Sequence, residues 1–217
     1  SSSIVKNLSD SGKEINTFSV HVDNPKYDES RWSDMVSKKY NTNHTTVTIS
    51  SKISNDILDD VLNSFDEPYS DPSVIPSFLI CKEISNVYKV AISGDGGDEL
   101  LGGYSRIHNT LSNKNLVELG ISNLNSLYPN YLGTGNKFLS RSSNRKNAYS
   151  SYFEDNNLMN ILGLNYEKIN LFDNNLDPKK INYKDLLLAE YNFYLSEMMM
   201  LKVDRTSMSN SLEVRSP

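Results

Sequence analysis

Three short segments rich in β-branched residues, Ile15–Val22, Thr45–Ile49 and Lys89–Ser93, are separated by stretches whose apolar residues recur at helical spacing. This alternation restricts the fold more than any other feature of the sequence. Asp28–Tyr40 gathers Trp32, Met35 and Val36 on one helical face. Ser54–Phe65 reads as a helix capped by Ser54, with Ile57, Leu58, Val61 and Leu62 turned inward. Ile4–Leu8 reads as part of a helix that begins before the chain does, Pro68, Pro72 and Pro76 mark a loop, and Ser77–Val87 is a further helix. Lys89–Ser93 is short and apolar, as a strand buried on both faces must be. Strands linked by helices in this order predict an α/β fold, a parallel sheet flanked by helices.

The second half changes character. Strand signals fade from about Ser105, and Asn113–Asn147 is polar and loop-rich. Asp185–Leu201 reads as a long helix, and Leu212–Pro217 as the start of another element. The second half is therefore expected to be mainly helical. Met198, Met199, Met200 and Met208 read as core packing, and the cluster Lys137, Arg141, Arg145 and Lys146 as a solvated basic loop.

Composition removes several functions. The 217 residues carry 22 basic and 27 acidic side chains, a net charge of −5. Such a chain is a poor general ligand for nucleic acid or an anionic membrane. No apolar run approaches the roughly 20 residues of a membrane helix, and SSSIVKNLSD does not read as a signal peptide. The single cysteine, Cys81, excludes an intrachain disulfide and makes a reducing, cytoplasmic location the expectation. His21, His44 and His108 lie too far apart for ordinary zinc spacing. Cys81 sits among Ile75, Phe78, Leu79 and Ile84, which suits a packed core thiol better than a nucleophile.

The chemistry concentrates in Ser93-Gly94-Asp95-Gly96-Gly97-Asp98-Glu99, followed by Leu100-Leu101-Gly102-Gly103-Tyr104. This run follows a strand and opens a helix, the position of the ligand crevice in parallel α/β sheets. It is not a Walker loop, because no Gly-Lys-Ser/Thr is present, and Glu99 stands where a dinucleotide fingerprint needs its third glycine. Its acidic spacing is not that of a calcium-binding EF-hand. Three carboxylates, Asp95, Asp98 and Glu99, would repel a polyphosphate unless a divalent cation stood between them. Carboxylates with phosphate oxygens are the usual shell of Mg²⁺, so the loop reads as a Mg²⁺–nucleotide site rather than a helix cap.

The run SGDGGDELLGGYSR resembles the signature loop of the synthetase domain of glutamine-dependent asparagine synthetases. Further stretches resemble that family in the same order: Thr17–Val20, Tyr27–Glu29, Asp66–Pro76, Leu201–Met208 and Ser211–Pro217. The resemblance implies an adenine nucleotide α-hydrolase-like fold of the PP-loop type. It implies a nucleotide-binding α/β core over residues 1–112 without its first strand and its SGGxDS loop, whose final serine Ser1 resembles. Residues 113–185 would be a variable helical and loop segment, and 186–217 helices returning to the active site.

By the same resemblance, ATP adenylates the side-chain carboxylate of aspartate, and ammonia from a glutaminase domain outside this chain forms the amide. Val20 would meet adenine through its backbone, and Ser93 and Gly94 would hold the nucleotide. Asp98 would bind Mg²⁺, with Asp95 near the reacting carboxylate or nitrogen. Glu99, Asp204 and Arg205 would support the site, although Asp204 and Arg205 also suit a plain helix-surface ion pair. A homodimer of the full-length protein is compatible with the family. Two alternatives remain at this level: the same chemistry on another carboxylate, as in β-lactam, peptide or sugar modification, and a non-catalytic scaffold that has kept the fold.

Overall fold

Strand β1 (Asn16–Val22) pairs in parallel with β2 (Asn43–Ile49), in register from Asn16 opposite Asn43 to Val22 opposite Ile49. Helix α2 (Ser30–Tyr40) makes the crossover and stops at Asn41, whose left-handed backbone (φ 49°) ends the helix. A second parallel pair joins β3 (Val90–Ile92) to β4 (Glu213–Arg215), with Val90 opposite Glu213 and Ile92 opposite Arg215. The predicted parallel pairing with helical connections is therefore present, as two two-stranded sheets among the described residues, but the expected burial of β3 is corrected, because Val90 and Ile92 are about half exposed on a strand with a single described partner.

The computed structural model describes residues 1–50, 52–67, 69, 71–112, 144–153, 171–172, 176–178 and 180–217. The chain divides into two units, Ser1–Gly96 with Ser196–Pro217, and Gly97–Leu195. Among the described residues no helix is long and apolar enough to cross a membrane.

In the first unit, α1 (Ser2–Ser9) starts at Ser1, and α3 (Asn55–Asn63) is capped by the Ser54 hydroxyl, which accepts from the Ile57 N–H. Helix α4 spans Val74–Ser85, three residues earlier than the expected start at Ser77. Pro72 lies in a turn as read and Pro68 lies outside the described residues, but Pro76 is not loop: it lies in the first turn of α4, where its missing N–H has no intrahelical partner to lose. Val61, Val74 and Phe78 form one core cluster, and Cys81, Ile84 and Leu212 another. Cys81 is buried, as its apolar setting suggested. The expected inward face of α3 is corrected in part: Val61 is buried, whereas Leu58 and Leu62 are exposed. Ile57 and Val61, four residues apart, share the covered side, and Leu58 and Leu62 lie one residue further around the helix.

The second unit holds α5 (Gly97–Leu101), α6 (Ser105–Ser112), α7 (Arg145–Ser150) and α8 (Tyr183–Ala189). Asn182 caps α8 in a reciprocal box with Asp185. The expected helix Asp185–Leu201 belongs to a longer helical run. It continues beyond α8 as a π-helix, Glu190–Met199, and then α9, Met200–Met208. Met208 is 58% exposed, which corrects its reading as core, because the buried residues of α9 are Lys202, Thr206 and Ser207. Lys137 and Arg141 lie outside the described residues. Arg145 is not solvated loop but the first residue of α7, and its guanidinium donates to the Ile181 carbonyl at 2.5 Å.

The centre of the second unit is charged. Arg106 donates through Nε and Nη2 to the two oxygens of Glu190, at 2.6 and 2.5 Å, and Glu190 is fully buried. The guanidinium stacks 3.8 Å from the Tyr104 ring centre and 4.1 Å from that of Tyr194. Ile107, Tyr149 and Leu186 pack in the adjacent cluster. Arg106→Met removes one charge and leaves the other buried, which typically costs about 3–5 kcal/mol. Urea denaturation followed by circular dichroism should show that loss as a lowered midpoint.

Candidate functional site

Two backbone constraints shape the loop after β3. The Ser93 N–H donates to the Arg215 carbonyl at 2.9 Å, so the sheet pairing extends to the loop's first residue. At Gly94 an added Cβ would stand 2.8 Å from the Ser1 backbone nitrogen, so only glycine lets the start of α1 approach the end of β3 this closely. Gly96 then takes φ +88°, the left-handed turn that leads into α5. Glycine is used here for close approach and for reversal.

The three loop carboxylates do not converge. Asp95 lines a cavity of the first unit. Asp98 is exposed on α5, and its carbonyl accepts the Gly103 N–H at 2.9 Å. Glu99 is buried and accepts a hydrogen bond from the Tyr104 hydroxyl at 2.5 Å. Among the described residues no three His, Cys, Asp or Glu side chains gather as a metal site. A divalent cation would therefore complete its shell with phosphate oxygens and water, the ordinary condition of nucleotide-bound Mg²⁺. An exposed carboxylate such as Asp98 fits that donor set. Glu99, buried against a phenol, fits a positioning role instead.

Among the described residues, two cavities open in the first unit. The larger, about 890 Å³, is lined by the first turn of α1, by β1 including Val20, by Trp32 of α2 and by Asp71–Ser73. Trp32 is 60% exposed because it faces this open space. The smaller, about 590 Å³, lies between β1 and β3, bounded by Phe18, Ala91, Ile4, Ile80, Gly94 and Asp95 among others. Both volumes fall in the range of small-molecule sites.

Sequence reasoning missed two polar groups here. His44 is hydrogen-bonded through Nδ1 to Thr17 Oγ1 at 2.8 Å and through Nε2 to Ser19 Oγ at 3.0 Å, and all three residues line the larger cavity. Period-two spacing along β1 could have found Thr17 and Ser19 on one face. Lys202 is buried, with Nζ 2.8 Å from Ser73 Oγ and 3.4 Å from Asp71 Oδ2. Burial raises the Asp71 carboxyl, but donation from Ser73 and the Lys202 charge outweigh it and hold the group below the ordinary carboxylate range. Arg205 reaches Asp66 at 2.5 Å, and Asp204 is exposed on the same helix.

A parallel α/β unit with an acidic glycine loop at the carboxyl end of a strand belongs to the broad class of ligand-binding α/β domains. The family model described as "Asparagine synthase" matches residues 1–217, and the chain belongs to that family. It is similar to "Asparagine synthetase [glutamine-hydrolyzing] 1" of Bacillus subtilis (strain 168), 26% identical over 179 residues, covering 70% of this chain and 26% of that protein. A putative asparagine synthetase of Methanocaldococcus jannaschii is 30% identical over 101 residues, covering 46% of this chain and 19% of that protein. A putative asparagine synthetase of Mycobacterium tuberculosis strain H37Rv is 45% identical over 47 residues, covering 22% and 7%. The chain thus spans about a quarter or less of the length of these relatives.

Cys81 gives a chemical reporter for the smaller cavity. Burial pushes its thiol up to about 11, a hydrogen bond with Thr206 opposes the rise, and the charge of Asp95 adds to it. The folded protein should therefore alkylate roughly 100-fold more slowly at pH 8 than the unfolded chain. Mass spectrometry after iodoacetamide treatment, with and without denaturant, measures the difference.

Proposed function

We propose that this chain is the nucleotide-binding part of an amide-forming ligase of the PP-loop type. In the full-length protein ATP adenylates the side-chain carboxylate of aspartate, and ammonia released from glutamine by a glutaminase domain displaces AMP. The observation that carries the reading is the acidic glycine loop at the end of β3, packed by Gly94 against the first turn of α1 in a chain of this family. Helix starts and glycine turns offer free backbone N–H groups, which suit phosphate oxygens.

Within this reading Val20 meets the adenine from β1, and Ser93 and Gly94 hold the nucleotide at the end of β3. Asp98 binds Mg²⁺, which when present neutralises the pyrophosphate leaving group. Asp95 lies near the reacting carboxylate or the incoming nitrogen. Glu99, held by Tyr104, fixes the helix that carries Asp98, while Arg205, paired with Asp66 at the surface, and Asp204 support the site from the returning helix. The smaller cavity is lined by residues of both β1 and β3, each with a single described strand partner, and its lining is mostly apolar. That slot suits a further parallel strand, the one leading into the phosphate loop of the longer protein. Cytoplasmic residence and a homodimer belong to the same reading of the whole enzyme.

The test uses the full-length protein with aspartate and glutamine or ammonia. AMP and pyrophosphate should appear with one amide formed per ATP. Release of ADP and phosphate in step with amide would overturn the adenylate mechanism, and AMP formed only with a different carboxylate would overturn aspartate as the substrate. Asp98→Asn should abolish ATP–pyrophosphate exchange at ordinary Mg²⁺, because the amide keeps the shape and loses the charge. Trp32 lines the larger cavity, so MgATP should change the tryptophan emission of the wild type and leave that of Trp32→Phe unchanged. An unchanged spectrum in a protein that binds MgATP by calorimetry would place the nucleotide elsewhere.

A further inference from the structure

We infer that Lys202 is a positioning residue for nucleotide binding, fixing the wall segment Asp71–Ser73 of the larger cavity from behind. The inference rests on the reading of that cavity as the nucleotide site.

Lys202 is 6% exposed, and a lysine is buried this far only when its charge is compensated. Its ammonium donates to the Ser73 hydroxyl at 2.8 Å and pairs with Asp71 at 3.4 Å, and the Met199 sulfur lies 3.5 Å away. Asp71 and Ser73 line the larger cavity, and Lys202 lines the smaller one. The lysine therefore bears on the larger cavity through its partners. The wall has its own internal bond, the Ser73 N–H to Asp71 Oδ1 at 2.9 Å, and Ser73 immediately precedes α4.

Two other contacts tie the same stretch to the same helical run. The Tyr69 hydroxyl donates to the Met198 carbonyl at 2.7 Å, and Arg205 pairs with Asp66. Positions 198, 202 and 205 are spaced by four and three residues, so they share one helical face. The Arg205–Asp66 pair is exposed, with Asp66 79% accessible, and an exposed pair constrains little. Lys202 is the buried charged contact of the three. Its three N–H donors allow it to hold a hydroxyl and a carboxylate at once.

The experiment compares wild type, K202M, K202R and S73A in the full-length protein. It measures MgATP affinity by calorimetry and the KM values for ATP and aspartate by ATP–pyrophosphate exchange. K202M should weaken MgATP binding by about tenfold or more, with the aspartate KM held within about twofold. S73A, which deletes the 2.8 Å bond and keeps the ion pair, should fall between K202M and wild type. K202R should restore most of the affinity, because the positive charge and several donors remain. If K202M fails to fold, S73A decides, since no charge is stranded in it. Binding by S73A and K202M equal to wild type, or a loss confined to the aspartate KM, overturns the inference alone. A wild-type protein that does not bind MgATP overturns the nucleotide reading and this inference with it.

Discussion

The first unit is held closed by a pairing that spans most of the sequence. β3 ends at Ile92, and its parallel partner β4 does not begin until Glu213. The last residues bring more than hydrogen bonds. Leu212 is fully buried beside Cys81 and Ile84, and α9 packs on α4. Burying a leucine contributes roughly 2–3 kcal/mol. The Ser93–Arg215 backbone bond carries this closure to the first residue of the acidic loop. The geometry of the loop is thus set by residues more than a hundred positions away. Such non-local closure is slow to form, because chain entropy must be lost before the contacts are made.

The interior charges follow different rules in the two units. Arg106 and Glu190 satisfy one another in a planar, two-bond arrangement enclosed by aromatic rings. Lys202 shares its charge between an ion pair and a hydroxyl at a cavity wall. The first arrangement suits rigidity, because a guanidinium fork matches a carboxylate at one orientation only. The second suits a wall that must keep its position while one side of it meets solvent or ligand.

Where local pattern and packing agree, the sequence was legible. The β1 and β2 strands, the Ser54 cap and the buried Cys81 follow from β-branched alternation, capping chemistry and apolar surroundings. The Ser93–Glu99 loop stood out as a candidate site because three glycines and three acids in seven residues exceed what a helix cap needs. The divergence of its carboxylates was not, since residue order does not state that Glu99 turns inward to Tyr104 while Asp98 remains exposed. The start of α4 was misread because proline suits a first turn as well as a loop. The π-helical stretch leaves no trace in apolar spacing, and Lys202 looks like any surface lysine until its partners are in place.

β1 and β3 both line the smaller cavity. Each strand has a single partner among the described residues, and Val90 and Ile92 are about half exposed. An open parallel edge beside an apolar slot is a template for any extended segment that reaches it. Val90 and Ile92 are the apolar side chains that a strand added along β3 would cover.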